Sequence, residues 1–236
     1  MGFVAVKTRL EVINSSAAMD TSRIIDTLKN QYGIPHGPHR ENAPVSVLVQ
    51  TILSQNTSDT NSSRAFRSMM DHFGSLEIVA DAETSAITRC IRSGGLGAIK
   101  ADRIKEVLRE IKRRRGEIEL DFLSNLHLQD VEDWLTSLPG VGVKTARCVL
   151  LFAFGMPALP VDTHILRVSR RLGLIRWGAS AKEAHQQLQE MVKPGDMMYF
   201  HLLMIEHGRR ICTALRPRCQ KCPLADICIS SSLSQK

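Results

Sequence analysis

Residues 138–155 read LPGVGVKTARCVLLFAFG, an apolar helical run entered through a Pro-Gly-Val-Gly turn. Gly140 and Gly142 let backbone amides approach an anion with no side chain in the way, and the following helix adds its positive N-terminal end. The same two glycines also suit a bare helix-turn-helix corner. Lys144 falls in the first turn of that helix, where the dipole disfavours a further cation. An amine so placed is a candidate Schiff-base nucleophile, and a phosphate-contacting or solvent-facing lysine is the competing assignment. Thr145 follows as a further candidate contact to a nucleic-acid backbone.

Downstream, LPVDTHILRVSRRLG begins at Leu159. Asp162 stands where it can cap a helix starting at Thr163, or where its carboxylate can orient a lysine or handle a proton. Elsewhere the 3.6-residue period dominates. Ile24, Ile25, Leu28 and Tyr32 share a stripe, as do Leu48, Ile52 and Leu53 after Pro44, and Ala65, Phe66, Met69 and Met70. Ile104, Val107, Leu108 and Ile111 repeat it between charged residues, so the Lys and Arg of that segment are expected to face water. Short helices are expected over 75–81 and 84–92, a capping box of Ser180 and Glu183 opens a helix to about 192, and 196–211 is a last long helix. Gly94, Gly95 and Gly97 mark one exposed turn, and KPGD at 193–196 another. No run alternates long enough to demand a sheet, so the class is all-α.

At 236 residues, 43% hydrophobic and 23% charged, the composition is that of a globular chain and excludes a disordered or collagen-like one. A net charge of +7 and a pI near 9.3 favour a polyanionic partner. The longest apolar stretch, residues 148–161, is too short and too interrupted by Gly and Pro to span a bilayer, so no membrane association is expected. The opening MGFVAVKTRLEV lacks the basic and apolar regions of a secretory leader, which points to an intracellular site.

Cys212, Cys219, Cys222 and Cys228 are spaced C-x6-C-x2-C-x5-C, while Cys90 and Cys148 stand alone in apolar surroundings. Clustered thiols in a reducing compartment read as a metal site. Spacing alone leaves zinc and an iron-sulfur cubane both open. Segment 201–236 carries Arg209, Arg210, Arg216, Arg218, Lys221 and Lys236 against Glu206 and Asp226. Arg216, Arg218 and Lys221 lie inside the cysteine loop, where they can be held against phosphates or simply solvate the loop. Arg167, Arg170, Arg171 and Arg176 are expected to extend this basic surface, whereas the KRRR run at 112–115 reads as a solvated helix C-terminus.

Taken together, LPGVGVKTA at 138–146, VDTH at 161–164 and the cysteine loop at 212–228 resemble the endonuclease III branch of the helix-hairpin-helix base-excision DNA glycosylases. The match runs over about residues 20–228. The resemblance implies two helical lobes with a DNA cleft between them: a helical barrel over 37–156, and a cluster lobe built from 157–236 with the helix of the N-terminal segment 1–36. It implies a [4Fe-4S] cluster on Cys212, Cys219, Cys222 and Cys228, and a monomer acting on duplex DNA that holds a damaged base or abasic site. Lys144 would attack C1′ of an extruded nucleotide with Asp162 assisting, expel an oxidised pyrimidine and cut the strand by β-elimination. In the family a Gln from the loop near LSQNTSD and an apolar residue from a Gly-rich turn fill the vacated stack. Aligning Ser54 and Asp59 with the family pattern puts Asn56 where that Gln usually sits and Gln55 one residue earlier, a departure, and makes Leu96 the candidate wedge. The alternatives are a mismatch-type thymine or uracil glycosylase, and a noncatalytic iron-sulfur DNA-binding protein.

Overall fold

The computed structural model describes residues 20–35 and 43–231, and all regular structure within them is helical. The stretch before Asp20, the division drawn between residues 36 and 37, and Lys236 lie outside the described residues. The helices are α1 (Thr21–Tyr32), α2 (Pro44–Ser54), α3 (Asp59–Phe73), α4 (Leu76–Asp81), α5 (Thr84–Cys90), α6 (Gly97–Arg115), α7 (Leu128–Thr136), α8 (Val143–Phe152), α9 (Thr163–Leu172), α10 (Ala181–Met191) and α11 (Met197–Arg210). Local chemistry starts many of them. Asp20, Ser58 and Ser75 each accept a backbone N–H of the first turn they precede, Pro44 opens α2, and Ser180 with Glu183 completes the expected capping box.

The apolar stripes collapse into two cores. Helices α2 to α8 bury Leu48, Ile52, Met69, Ile104, Leu108 and Val149 together. A second core joins Ile24 and Leu28 of α1 to Ile165 and Leu172 of α9, Leu188 of α10, and Phe200 and Met204 of α11. Each such side chain, taken fully out of water, contributes about 1.5–3 kcal/mol. Helix α8 belongs to both: Leu150 packs in the first core, Leu151 in the second, and Phe152 lies against each. Its N-terminus, with Lys144, is thereby fixed where the two cores meet.

Three details depart from the sequence expectations. Helix α7 is absent from the stripes read in the sequence, although Leu128, Val131, Trp134 and Leu135 recur at helical spacing and pack against the first core. The Gly-rich turn is only partly exposed: Gly94 is buried, Gly97 already opens α6, and Leu96 caps that helix from a left-handed backbone. Helix α6 also starts about two turns before the stripe that opens at Ile104, and its Lys100 is buried instead of facing water. No helix of the described residues is long and apolar enough to cross a membrane.

Candidate active site and cluster site

The turn before α8 is built around one glycine that packing requires and one that it does not. Gly140 has φ +71, and a Cβ there would lie 2.7 Å from Arg103 Nε. Gly142 has φ −94, and a Cβ would meet nothing within 4 Å. Its bare backbone is therefore not needed by the fold. As N-cap it supplies no side chain to the first turn of α8, so the leading N–H groups stay available to an anion. Thr145 is only 4% exposed, and its hydroxyl accepts a long hydrogen bond from Gln55 Nε2 at 3.5 Å, so it can offer an outside ligand only its backbone.

Lys144 and Asp162 line one cavity of about 440 Å³, together with Thr51, Ser54, Asp59, His201 and Arg209. It continues into a groove of about 690 Å³ that adds Gln55, Asn56 and His164 to the same lysine and aspartate. Asp162 caps α9, its Oδ1 accepting from Ile165 N at 2.8 Å, and Oδ2 has no hydrogen-bond partner among the described residues. Capping and chemistry are thus compatible: the cap holds the carboxylate at the cavity wall. Cys148, one turn on from Lys144, is buried beside it. Burial pushes its thiol pKa up, while the Lys144 charge acts in the opposite direction and Asp162 reinforces the rise.

Two features of this cavity have no local sequence signal. Arg209 of α11 grips Asp59 at the start of α3 through two bonds, 2.6 and 3.1 Å, tying the two cores together across the cavity. That guanidinium holds the Asp59 carboxyl below the usual carboxylate range. His201 is buried with Nδ1 at 2.9 Å from the carbonyl of Pro160, which can only accept; the imidazole therefore donates from Nδ1. Burial pushes its pKa well down, so it is neutral. The spacing of SQNTSD flags Asp59, but nothing in the sequence pairs it with a residue 150 positions away.

Around the groove, Asn56 is exposed with φ 54, whereas the Gln55 side chain is engaged within the protein, accepting from Arg103 Nη1 at 2.7 Å. Leu96 stands 57% exposed at the start of α6. Arg216, Arg218 and Lys221 are exposed on the cysteine loop. The arginines of α9 do other work than the expected basic surface. Arg167 donates to Gly208 O and Cys212 O, Arg171 to Thr213 O and Ala214 O, and Arg170 to Ala179 O. Arg176 is paired with Glu183. A guanidinium carries five donors, and the loop carbonyls nearby need them. The KRRR run is on the surface, with Lys112 paired to Asp81, Arg113 and Arg114 to Glu110, and Arg115 to Glu119.

The four clustered cysteines surround a cavity of about 420 Å³ walled by Val168, Leu172, Trp177 and Ile211. Among the described residues no group of three or more His, Cys, Asp or Glu side chains converges tightly enough to hold a single metal ion. Tetrahedral zinc needs sulfurs drawn to about 2.3 Å from one point. Thiols spread around a cavity fit a larger inorganic cluster instead. Burial pushes the Cys222 thiol up to about 11, and the neighbouring cysteines add to that rise. Burial raises the Cys228 thiol as well, so thiolates at these two positions are stable only against compensating positive charge, which iron would supply. Around them, Arg171 Nη1 lies 3.3 Å from Cys212 Sγ, and His207 Nε2 3.6 Å from Cys222 Sγ, with Tyr32 Oη on its other ring nitrogen.

Comparison with known proteins matches residues 49–194 to the HhH-GPD superfamily of base excision DNA repair proteins, and residues 212–228 to the iron-sulfur binding domain of endonuclease III. The chain belongs to the HhH-GPD superfamily. An endonuclease III from Sulfolobus acidocaldarius is 34% identical over 78% of this chain and 80% of its own. A solved non-covalent endonuclease III–DNA complex superposes with a TM-score of 0.78 at 28% identity, covering 91% of this chain and 96% of that one. A trapped endonuclease III–DNA covalent intermediate does so at the same score and identity, covering 92% and 97%. This HhH-GPD protein is a base-excision-repair DNA glycosylase with AP lyase activity; it binds DNA and carries a [4Fe-4S] cluster.

Proposed function

We propose that the glycosylase removes oxidised pyrimidines from duplex DNA through a Schiff base on Lys144 and then cuts the strand 3′ to the abasic site. The observation that carries this reading is the meeting of Lys144 and Asp162, from the starts of α8 and α9, in one cavity at the junction of the two cores. Lys144 Nζ attacks C1′, the C1′–N bond to the base breaks, and the base leaves with the bonding pair. Asp162 accepts the proton that the amine gives up. Opening of the sugar leaves a C1′ imine, which makes a 2′ proton acidic; its loss expels the 3′ phosphate and cleaves the chain. The covalent capture of a related endonuclease III on DNA supports a covalent route.

The remaining assignments follow the geometry. The first N–H groups of α8 beside Gly142 take a phosphate, with Gly140 shaping the turn. Asn56 and Leu96 fill the stack that the extruded nucleotide leaves. Cys212, Cys219, Cys222 and Cys228 hold the cluster, which fixes Arg216, Arg218 and Lys221 against the backbone. The protein works as a monomer inside the cell, with residues from about 37 to 156 as one lobe and α1 plus the chain from about 157 as the other.

The test is borohydride reduction of the protein mixed with duplex holding an abasic site. A covalent adduct forms with the parent and is absent in Lys144→Ala. An adduct that persists in that variant removes Lys144 as nucleophile. A panel of duplexes with oxidised pyrimidines, G·T and G·U pairs reads the lesion class directly, and release confined to the mismatches overturns the pyrimidine-oxidation assignment.

A further inference from the structure

Among the described residues, Asn56 (φ 54) and Leu96 (φ 49) are the non-glycine residues with a left-handed backbone. An L-residue there costs roughly 1–2 kcal/mol, and leucine has no polar side chain with which to offset it locally. Such conformations persist where the surroundings over-determine them. Both residues are exposed, on separate segments of the first core.

One side chain reaches the roots of both segments. Lys100 of α6 is 3% exposed, and its Nζ donates to Leu53 O at 2.7 Å and to Gly94 O at 2.7 Å. Leu53 lies in the last turn of α2, three residues before Asn56, and Gly94 lies two residues before Leu96. A Cβ on Gly94 would stand only 3.4 Å from Ala65 Cβ and 4.0 Å from that same Leu53 carbonyl, so the two roots are packed together at this point. Arg103, one turn along α6 from Lys100, fixes the Gln55 side chain at 2.7 Å. A single helix thus grips the Asn56 loop twice and the Leu96 turn once. Burying an ammonium is costly, and an apolar side chain in a helix interior would avoid that cost. What the ammonium supplies is two short bonds to carbonyls on different segments.

We propose that Lys100 is a positioning residue that couples Asn56 and Leu96, so that the two enter the duplex as one fork of fixed spacing. This rests on the reading of those two residues as the ones that fill the vacated stack. Lys144 and Asp162 need no fork to react with an abasic site in a single strand, where there is no stack to fill. Lys100→Met therefore lowers kcat/KM on a lesion-bearing duplex by about tenfold and leaves borohydride trapping on a single-stranded abasic oligonucleotide within about twofold.

The sharper test is a double-mutant cycle with the full-length, cluster-loaded protein. Asn56→Gly and Leu96→Gly are each measured alone and together on duplex, in the parent and in the Lys100→Met background. Coupled residues give effects that depart from independence by about threefold or more in the parent, and become independent once the ammonium is gone. Losses that are independent in the parent, or a coupling that survives Lys100→Met, overturn the proposal. A parallel fall in single-strand trapping assigns Lys100 to general folding and overturns it as well. Undiminished duplex cleavage by both glycine variants instead defeats the stack-filling reading, and the coupling with it. Should Lys100→Met fail to fold, Lys100→Gln, whose amide keeps a donor at this position, serves in the cycle and gives an intermediate coupling; an undiminished coupling there is again contrary.

Discussion

Asp162 has two separable duties, and a pair of substitutions divides them. Its Oδ1 accepts from Ile165 N at 2.8 Å at the start of α9, a cap worth about 1 kcal/mol within a range of about 0.5–2. Asp162→Ala loses that bond together with the attraction between carboxylate and helix dipole. Asp162→Asn keeps a capping oxygen and loses only the charge–dipole attraction, about 0.3–1 kcal/mol. For a chain of this length about 1 kcal/mol moves Tm by about 2–4 °C, so the melting order is parent, then Asn, then Ala. Catalysis divides differently. Neither variant has a carboxylate to take the proton from Lys144, so both lose about 10²–10⁴-fold in the single-turnover rate of base release. Thermal melts and single-turnover assays on an oxidised-pyrimidine duplex supply the two readouts, with affinity for an uncleavable abasic analogue as the control for binding. An Asp162→Asn variant that turns over at the parent rate refutes the proton role. One that melts no higher than Asp162→Ala refutes the cap.

Gly142→Ser tests the anion site from the opposite side. Serine is at least as good an N-cap as glycine and meets open space, so Tm holds or rises by the equivalent of a few tenths of a kcal/mol, while the hydroxyl now occupies the first N–H groups. DNA affinity falls and the salt slope of log K decreases by about one; an unchanged slope places the phosphate elsewhere. His201 gives the stability a pH dependence. Its folded pKa lies below the unfolded value of about 6.5, so its contribution is complete above that pH and is lost as pH falls, at up to about 1.4 kcal/mol per pH unit. The gap between denaturant midpoints at about pH 7 and about pH 5 should narrow in His201→Gln, with His207, also pushed down by burial, keeping part of it; an undiminished gap would assign the dependence to groups other than His201. Stripping iron, followed by loss of visible absorbance, frees the loop that carries Arg216, Arg218 and Lys221; the salt slope should then drop by up to about three. Full iron loss with an intact slope separates the cluster from DNA binding.

The helices were legible wherever a segment buries a full apolar stripe, as in α1, α2, α3 and α6, because 3.6-residue periodicity records which face meets the core. The boundaries of α4, α5, α10 and α11 also came within a residue or two, on caps and turn residues. Lys144, Asp162 and the four cysteines stand out in the sequence because each lies in a contiguous motif with its own chemistry. What stayed hidden depends on partners far along the chain. Lys100 looks like any charged residue flanking an amphipathic stripe until the Leu53 and Gly94 carbonyls arrive beside it. Arg167 and Arg171 look like DNA contacts until the cysteine loop folds over them and presents its carbonyls. Charge counted along a sequence does not distinguish a free guanidinium from one already spent on backbone. The same limit hid the Asp59–Arg209 bridge and the neutral His201.

The placement of Lys144 follows from how α8 is held between the two cores. Leu150 and Leu151, adjacent in sequence, point into different cores. On a neighbouring face Arg147 bonds Glu132 of α7 at 2.8 Å, in a pair mostly shielded from water, and reaches His185 of α10 in the second core. A helix locked by apolar contacts on both sides and by one shielded ion pair cannot slide or rotate without breaking several of these at once. Asp162 is held by α9, whose Ile165 and Leu172 are anchored in the second core alone. The relative position of amine and carboxylate is therefore set largely through the interior, by packing of α8 and α9, with the Asp162 cap fixing the carboxylate on its helix. Both polar ends are thereby left facing one cavity, and most of the energy that holds them in place lies in apolar contacts that do not depend on their charge, the Asp162 cap being the exception.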